Sequence, residues 1–589
     1  MRINKASQLL LFALLFCLNF SCTHKRDLTK NILLVHFLAE PKSLHLTNDN
    51  SAYQRTIFHL TQKRLININI TNNKLAPDLL ESMPELQNDS LQYVCKLRQG
   101  IKWDNGQPLT VADVLFTLKM IICPMVNNPD QKSYFKNLLD VKVDGSDSLV
   151  FRIINSKRYF DNASMLSYAV IMQENRWDPN HILRKYSIAD FQNATFNPEN
   201  EKALSELVAQ FNASDNGRIP QKFDGLGPYY VSDWQTGSSI TLTKKKKWWG
   251  EKSNKPEEAA FPEKIIFTII KDMEPTVLAL KKQDIDVSCE LSGVALNKLQ
   301  KRDYFNENYE SAFVGSFSYT YVGLNTKPNT SQNPYFTDKR VRRAIAHLVP
   351  VEEIIQVIAK GKARRIASFV LPEQAEFNKN LPLIEYNLNK AKSLLDEAGW
   401  KDTDGDNVRD KLIGGKRIKF NFQLSYMISP VTKEIVQIIR NEMYKAGIEV
   451  GANPLDFSIF YQTVQKHEFD AMLGSWSTSS TPEDPRQLWH TESWKTYGSN
   501  FVGFGNEYSD SLIEKANVEM NPAKRELIMG EIQKLVWEEQ PYVFLFNATK
   551  KIAISKRFEN RGMYPERPHI LYNYLKLNSV GGLTTEIIR

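Results

Sequence analysis

Histidine and cysteine are scarce in this chain, and the few present do not cluster. The nine histidines are scattered. No His-x-x-x-His or His-Glu-x-x-His pair occurs, so a zinc centre has no support. Of the five cysteines, Cys17 and Cys22 lie in the N-terminal segment, which leaves Cys95, Cys123 and Cys289. An odd number allows at most one disulfide among them, and their spacing fits no metal motif. Buried free thiols are the simplest expectation. There is no Gly-x-Ser-x-Gly, no phosphate-cradling loop ending in Gly-Lys-Ser/Thr and no dinucleotide fingerprint. A catalytic triad can be scattered along a chain, so this lack alone does not exclude an enzyme. No apolar run reaches the ~20 residues of a membrane span. No repeat of solenoid length and no low-complexity tract is present. A net charge of +8 over 589 residues is mild. No Lys/Arg stripe interleaved with aromatics appears, and a nucleic-acid partner is not expected.

What is present is a long chain of ordinary soluble composition, 42% hydrophobic and 24% charged. Its length implies two or three domains. The N-terminus reads as a targeting segment. Arg2 and Lys5 precede an apolar run from Leu9 to Leu18, too short to span a bilayer. A small residue, Ser21, directly precedes Cys22, as at a bacterial lipoprotein cleavage site, although Asn19 and Phe20 depart from the usual residues there. Lipidation of Cys22 would tether the protein to a membrane without spanning it. Plain secretion is the alternative.

The local structure of Leu75–Leu118 is legible. Leu91, Tyr93, Cys95 and Leu97 recur with the period of a buried strand face. Asp104-Asn105-Gly106 signals a turn. Thr110 and Asp113 form a capping box ahead of the helical Val114, Leu115 and Leu118. Ile32 to Leu38 suits a strand buried on both faces. The polar stretch from Asp178 to Asn216 is expected on the surface, carrying no core. Lys244-Lys245-Lys246-Lys247 reads as a solvated strand edge rather than an anion site. Asn387 and Gly399 bound one amphipathic helix, and Ser429-Pro430 and Gly447 bound another before a strand at Ile448. A helix over Pro522–Glu539 precedes an apolar strand, Tyr542–Phe546. This rhythm means α/β architecture with partly parallel sheets.

The string from Leu75 to Leu118 resembles one family, the extracytoplasmic solute-binding proteins, family 5, of peptide-, dipeptide- and nickel-type ABC importers. Further segments resemble it in the same order: Gly225–Glu251 (GLGPYYVSDWQTGSSITLTKKKKWWGE), Leu278–Val287, Phe317–Asn325, Val341–Gly361 and Phe469–Trp476 (FDAMLGSW). The resemblance implies a two-lobed periplasmic-binding-protein fold (type II, large three-segment variant). It assigns residues 1–21 to a signal peptide and 22–31 to a lipidated tether. Residues 32–79, 223–313 and 543–589 form the core of lobe I, 80–222 an accessory subdomain, and 314–542 lobe II. Hinge strands are expected near 313–318 and 541–546. The implied protein is a non-enzymatic, periplasmic, membrane-anchored lipoprotein without a cofactor, monomeric, that closes on a peptide and delivers it to a permease with separate ATPase subunits. Another small solute (an oligosaccharide, a metal chelate or an opine-like compound) is the alternative within the family. A peptidase or a sensory lipoprotein is the alternative outside it.

In peptide-binding members an Asp three residues after the Trp of "FDxxxxGW" pairs with the ligand's α-ammonium. In this chain that Trp is Trp476, followed by Ser477, and the Asp position holds Ser479. A hydroxyl cannot by itself compensate a buried ammonium. Either Glu483 or Asp484 takes the role, or Glu40 in the loop after the first strand does, or the ligand lacks a free N-terminus. Trp476, Tyr319 and Tyr321 could line the pocket or be plain core. Trp248 and Trp249 are expected to pack, and Arg340, Arg342 and Arg343 to be structural. Asp402, Asp404, Asp406 and Asp410 are spaced for calcium. However, Asn407 and Ile413 stand where an EF-hand has Gly and Glu, and a solvated turn is the expected reading.

Overall fold

The computed structural model describes residues 26–578, apart from short stretches at 48–50, 88, 127, 129–131, 133, 144–148, 194–195, 198–199, 223–224, 328–334 and 496–497. The expected leader and Cys22 lie outside the described residues.

One mixed sheet of eleven strands unites both lobes. Ile32–Phe37 lies inside it, parallel to Lys264–Ile269 on one side and to Val287–Ser288 on the other. Its Leu33, Val35 and Phe37 are buried, as its apolar run predicts. The other end is the parallel set Asn421–Met427, Glu449–Leu455 and Ala471–Ser477. Two long antiparallel strands, Tyr309–Leu324 and Tyr542–Ser555, join the halves. Their register is regular from Tyr309 to Gly315 against Ser555 to Thr549, then shifts before Tyr319 meets Asn547. Side chains fill the irregularity: Ser316 Oγ donates to Ala548 O at 2.7 Å, and Asn547 Nδ2 to Ser318 O at 2.8 Å. This break lies at the expected 313–318 on one strand and just beyond 541–546 on the other, and a second shift, between Thr320 and Tyr321, falls opposite Phe546 and Phe544 inside the expected span. Tyr542 to Phe546 pack in the cores that flank the Asn421–Leu455 side.

A separate four-stranded antiparallel sheet (Glu85–Leu86, Gln92–Lys96, Val150–Asn155, Leu138–Val143) builds the accessory unit. Tyr93, Cys95 and Leu97 point into its core. Thr110 N donates to Asp113 Oδ2 at 3.0 Å, the expected cap of the helix Val111–Ile122. Asp113 also accepts from Glu174 N at 2.8 Å, tying the helix to the next segment.

Three expectations are corrected or sharpened. The polar stretch 178–216 does carry core: Leu183, Ile188, Phe191, Leu204, Leu207, Val208 and Phe211 are buried in the accessory unit. Its apolar residues are sparse but fall on one face of the helix Lys202–Asn212. Lys245 is not a solvated edge residue. It is buried, donating to Gly225 O at 2.6 Å and pairing with Asp104 at 2.7 Å, while Lys246 and Lys247 are exposed. The glycines beside it allow no side chain. A Cβ on Gly225 would lie 2.1 Å from Thr61 O, and one on Gly227 2.5 Å from Leu60 O. Trp248 and Trp249 both donate to Leu226 O, at 2.8 and 2.9 Å, which is packing of this same turn.

The remaining local readings match. Asn387 and Ser429 cap their helices, and Gly399 and Gly447 follow with φ of +85° and +76°. Arg342 is buried, with its guanidinium on Phe336 O, Thr337 O and Glu539. Arg340 bonds Asp338 beside the helix start, and Arg343 lies over Trp537 at 4.1 Å. All three thiols are free and buried.

Candidate binding site between the lobes

The accessory unit and the second lobe touch across the cleft. Tyr159 Oη donates to Asp484 Oδ2 at 2.9 Å, and Phe160 N to Asn517 O at 2.9 Å. The Arg525 guanidinium lies 3.4 Å over the Phe160 ring. On the lobe I side, Ser480 N donates to Glu566 Oε2 at 2.8 Å. These contacts bring polar groups of both lobes together at one interior interface.

That interior is dense in charge, with Asp161, Glu290, Glu483 and Arg567 half-buried and Arg55 exposed at its edge. Burial pushes the Glu483 carboxyl up to about 7, against the Thr478 side chain and Ser479 backbone that favour its ionised form, and with help from Glu566. Burial likewise raises Asp161 to about 7, opposed by Ser164 and Arg525 and reinforced by Asp484 and Glu483. Both keep partial solvent contact, as side chains facing an internal space do. Glu290 is raised by burial against the attraction of Lys550 and Arg567. Arg55 is lowered by burial and by the like charge of Arg567. Tyr134 and Tyr168 stack face to face at 3.8 Å, and Tyr168 feels Asp161, Glu483 and Arg55. Carboxylates and guanidinium groups are therefore both present, Glu566 facing Arg55 among them, beside flat aromatic surface.

The residues singled out in the sequence fall in different places. Glu483 lines a small pocket of the second lobe with Phe369, Gln374 and Met529 and feels Glu566 of the other lobe. Asp484 is taken up by Tyr159, by Asn517 Nδ2 at 2.8 Å and by Arg486 N at 2.8 Å. Ser479 Oγ meets Thr481 Oγ1 at 2.8 Å, and its carbonyl accepts from Gln374. Tyr319 and Tyr321 are buried with Tyr542, which stacks on Tyr321 at 3.8 Å. The Tyr319 hydroxyl is buried without a hydrogen-bond partner and feels the Glu483 charge. Trp476 is half-buried beside Tyr319 in strand register, and Ser477 is exposed opposite Ser318. Glu40 accepts from Trp234 Nε1 at 2.8 Å and meets Arg218 at 3.7 Å. Among the described residues it shares no hydrogen bond or ion pair with Trp476–Asp484. Arg55, Asp161, Glu290, Glu566 and Arg567 were not legible as site residues, since no motif marks them and only the fold converges them.

The oxygens of Asp402, Asp404 and Asp410 lie within 4.8 Å of one another. Each carboxylate is already engaged. Asp402 accepts from Gly405 N and Asn407 N, Asp410 from Thr403, Asp404 faces Arg417 and Lys419, and Asp406 pairs with Lys419.

Two lobes joined by crossing strands around a polar interior define a binding protein that closes on its solute. Residues 74–499 match the family described as bacterial extracellular solute-binding proteins, family 5 Middle. The chain belongs to that family. It is 27% identical over 552 residues to the oligopeptide-binding protein AppA of Bacillus subtilis, spanning 92% of this chain and 91% of that one. It is 22% identical over 557 residues to the probable D,D-dipeptide-binding periplasmic protein DdpA of Escherichia coli, spanning 93% and 94%. Among solved structures, AppA of Bacillus subtilis with a nonapeptide superposes with a TM-score of 0.70 at 24% identity, covering 93% of this chain and 99% of that one. NikA of Brucella suis with Fe(III)-EDTA superposes at 0.73 and 19% identity, covering 93% and 100%. The two-lobed fold is thus shared by receptors for different solutes.

Proposed function

We propose that this protein captures peptides between its lobes and hands them to an ABC permease, as a lipoprotein anchored outside the cytoplasm through Cys22. Glu483 is the α-ammonium partner that Ser479 cannot be. The observation that carries this reading is its half-buried carboxyl, held up at about 7 by burial and by the nearby Glu566. A ligand ammonium supplies a cation and offsets the desolvation cost of both charges. Asp484 is a latch across the cleft rather than the clamp. Arg55 and Arg567, like-charged neighbours with Glu566 beside them, are the cations assigned to the ligand's carboxylate. A zwitterionic peptide complements both ends, whereas an uncharged oligosaccharide leaves the carboxyl without an ion partner. Family membership and the peptide-binding relatives support the same class. The domain limits are those given above, except that lobe II continues through Asn547 and the last segment of lobe I begins after it. The direct test is mass spectrometry of ligands released from natively purified protein. Peptides are expected, and recovery of sugars or metal chelates without peptides overturns the reading.

A further inference from the structure

The described chain begins pinned to lobe I. Arg26 donates to Asp286 Oδ2 at 2.6 Å and to Gln283 O at 2.9 Å. Gln283 follows Lys282, the C-cap of the helix Met273–Lys281. Between that helix and Gly293–Leu299 lies an open groove of about 730 Å³. Val277, Val294 and Leu299 give it an apolar lining, and Lys281, Lys298 and Arg302 stand exposed around it. Glu274 is the one carboxylate among its lining residues. Cys22 precedes Arg26 by four residues, a reach of at most ~14 Å when extended. An anchor at Cys22 therefore holds this corner of lobe I against the bilayer.

We propose that the groove is a membrane-contact site that takes the headgroup of an anionic phospholipid, its three cations meeting phosphate while the apolar lining meets the upper acyl chain. Each basic residue held at an anionic surface contributes about 1 kcal/mol, roughly fivefold in affinity, within a Debye length of ~8 Å at physiological salt. Combined with the anchor, this fixes which face of the receptor looks at the membrane. The orientation rests on acylation of Cys22, whereas the groove's lipid affinity does not and is measured without it.

The test is vesicle flotation of the full chain carrying Cys22→Ser, with and without Lys298→Glu plus Arg302→Glu. Vesicles are phosphatidylcholine alone or with phosphatidylglycerol. Binding to phosphatidylglycerol vesicles that falls at least ~25-fold in the double variant, and fades with salt, supports the site. An unchanged peptide-induced thermal shift shows that the variant is folded. Equal binding by both chains overturns the proposal. So does a variant that floats normally but loses capture by permease-containing membranes, which makes the groove a protein-docking face. Mass spectrometry of the wild-type N-terminus tests the anchor separately.

Discussion

Tyr159 of the accessory unit and Asp484 of the second lobe are joined by a 2.9 Å hydrogen bond that spans the cleft. The bond exists only when the lobes are together. It therefore belongs to the closed state alone and biases the open–closed equilibrium toward closure. Tyr159→Phe removes a hydrogen bond to a charged group, about 1.5–3 kcal/mol. It leaves Asp484 held by Asn517 and Arg486. Peptide affinity is expected to fall about tenfold or more, with a larger radius of gyration in small-angle scattering. An unchanged radius and affinity would show that the bond does not latch the lobes.

Glu483→Gln separates the clamp from the latch. A peptide ammonium left without its buried partner loses about 3–5 kcal/mol, upwards of a hundredfold in affinity. The same substitution should scarcely affect an N-acetylated peptide, and titration calorimetry with both peptides reads the difference. Equal losses for the two would move the ammonium partner elsewhere.

The same carboxyls give a pH dependence with opposite signs for stability and binding. Asp161 and Glu483 sit at about 7 in the fold, against ordinary values of 3.8 and 4.5. Between those values and about 7 the folded, ligand-free protein holds more protons than the unfolded chain. Its stability at these groups therefore rises as pH falls through about 7 and levels off below the ordinary values. An ammonium ligand needs Glu483 ionised, so affinity falls over the same window. Thermal unfolding with and without peptide, followed across the window, should show the two curves converging on acidification. In Glu483→Gln the ligand-free dependence should be weaker.

The elements were readable because each rests on local chemistry. Thr110 with Asp113, Ser429-Pro430 and Gly447 act within a few residues of their own helices. The buried first strand followed from Ile32–Leu38 being apolar on both faces. Lys245 was misread because its partners, Gly225 and Asp104, are remote in sequence and nothing local distinguishes it from Lys246. The insert at 178–216 was misread because overall polarity hid one apolar helix face. Within the site, Glu483 could be named from its nearness to Trp476. Asp161, Glu566 and Arg567 could not, since their meaning comes from partners far away in sequence, Glu566 from Ser480 at 86 residues' separation and Asp161 from Arg525.

Gly225→Ala and Gly227→Ala test the turn that seats Lys245 and both tryptophans. The added methyl would meet backbone oxygen, Thr61 O in one case and Leu60 O in the other. Backbone cannot yield as a side-chain tip can. Each substitution is expected to destabilise by about 1–3 kcal/mol. Denaturant unfolding of lobe I should show this, and a loss below ~0.5 kcal/mol would mean the two segments separate freely.

Asp286 holds the start of the described chain in place. It accepts from Arg26, from Arg557 Nε at 2.7 Å and from Leu34 N at 2.8 Å. Arg557 in turn donates to Leu28 O at 2.9 Å and Lys30 O at 3.2 Å. The carboxylate thus binds the N-terminal segment, the first strand and the chain after the second crossing strand at one point. Asp286→Ala leaves the buried Arg557 guanidinium without its counter-charge, a loss of about 3–5 kcal/mol. Arg26→Ala removes only the more exposed partner and should cost about 1 kcal/mol or less in global stability. Both should open the segment before Ile32 to trypsin, because each removes the Arg26–Asp286 ion pair that ties it to lobe I. Limited proteolysis with N-terminal sequencing checks this. Cleavage after Arg26 at the wild-type rate in Asp286→Ala protein would show that the bonds of Arg557 to Leu28 O and Lys30 O, with those of Arg26 to Gln283 O and Ile32 O, hold the segment without the carboxylate.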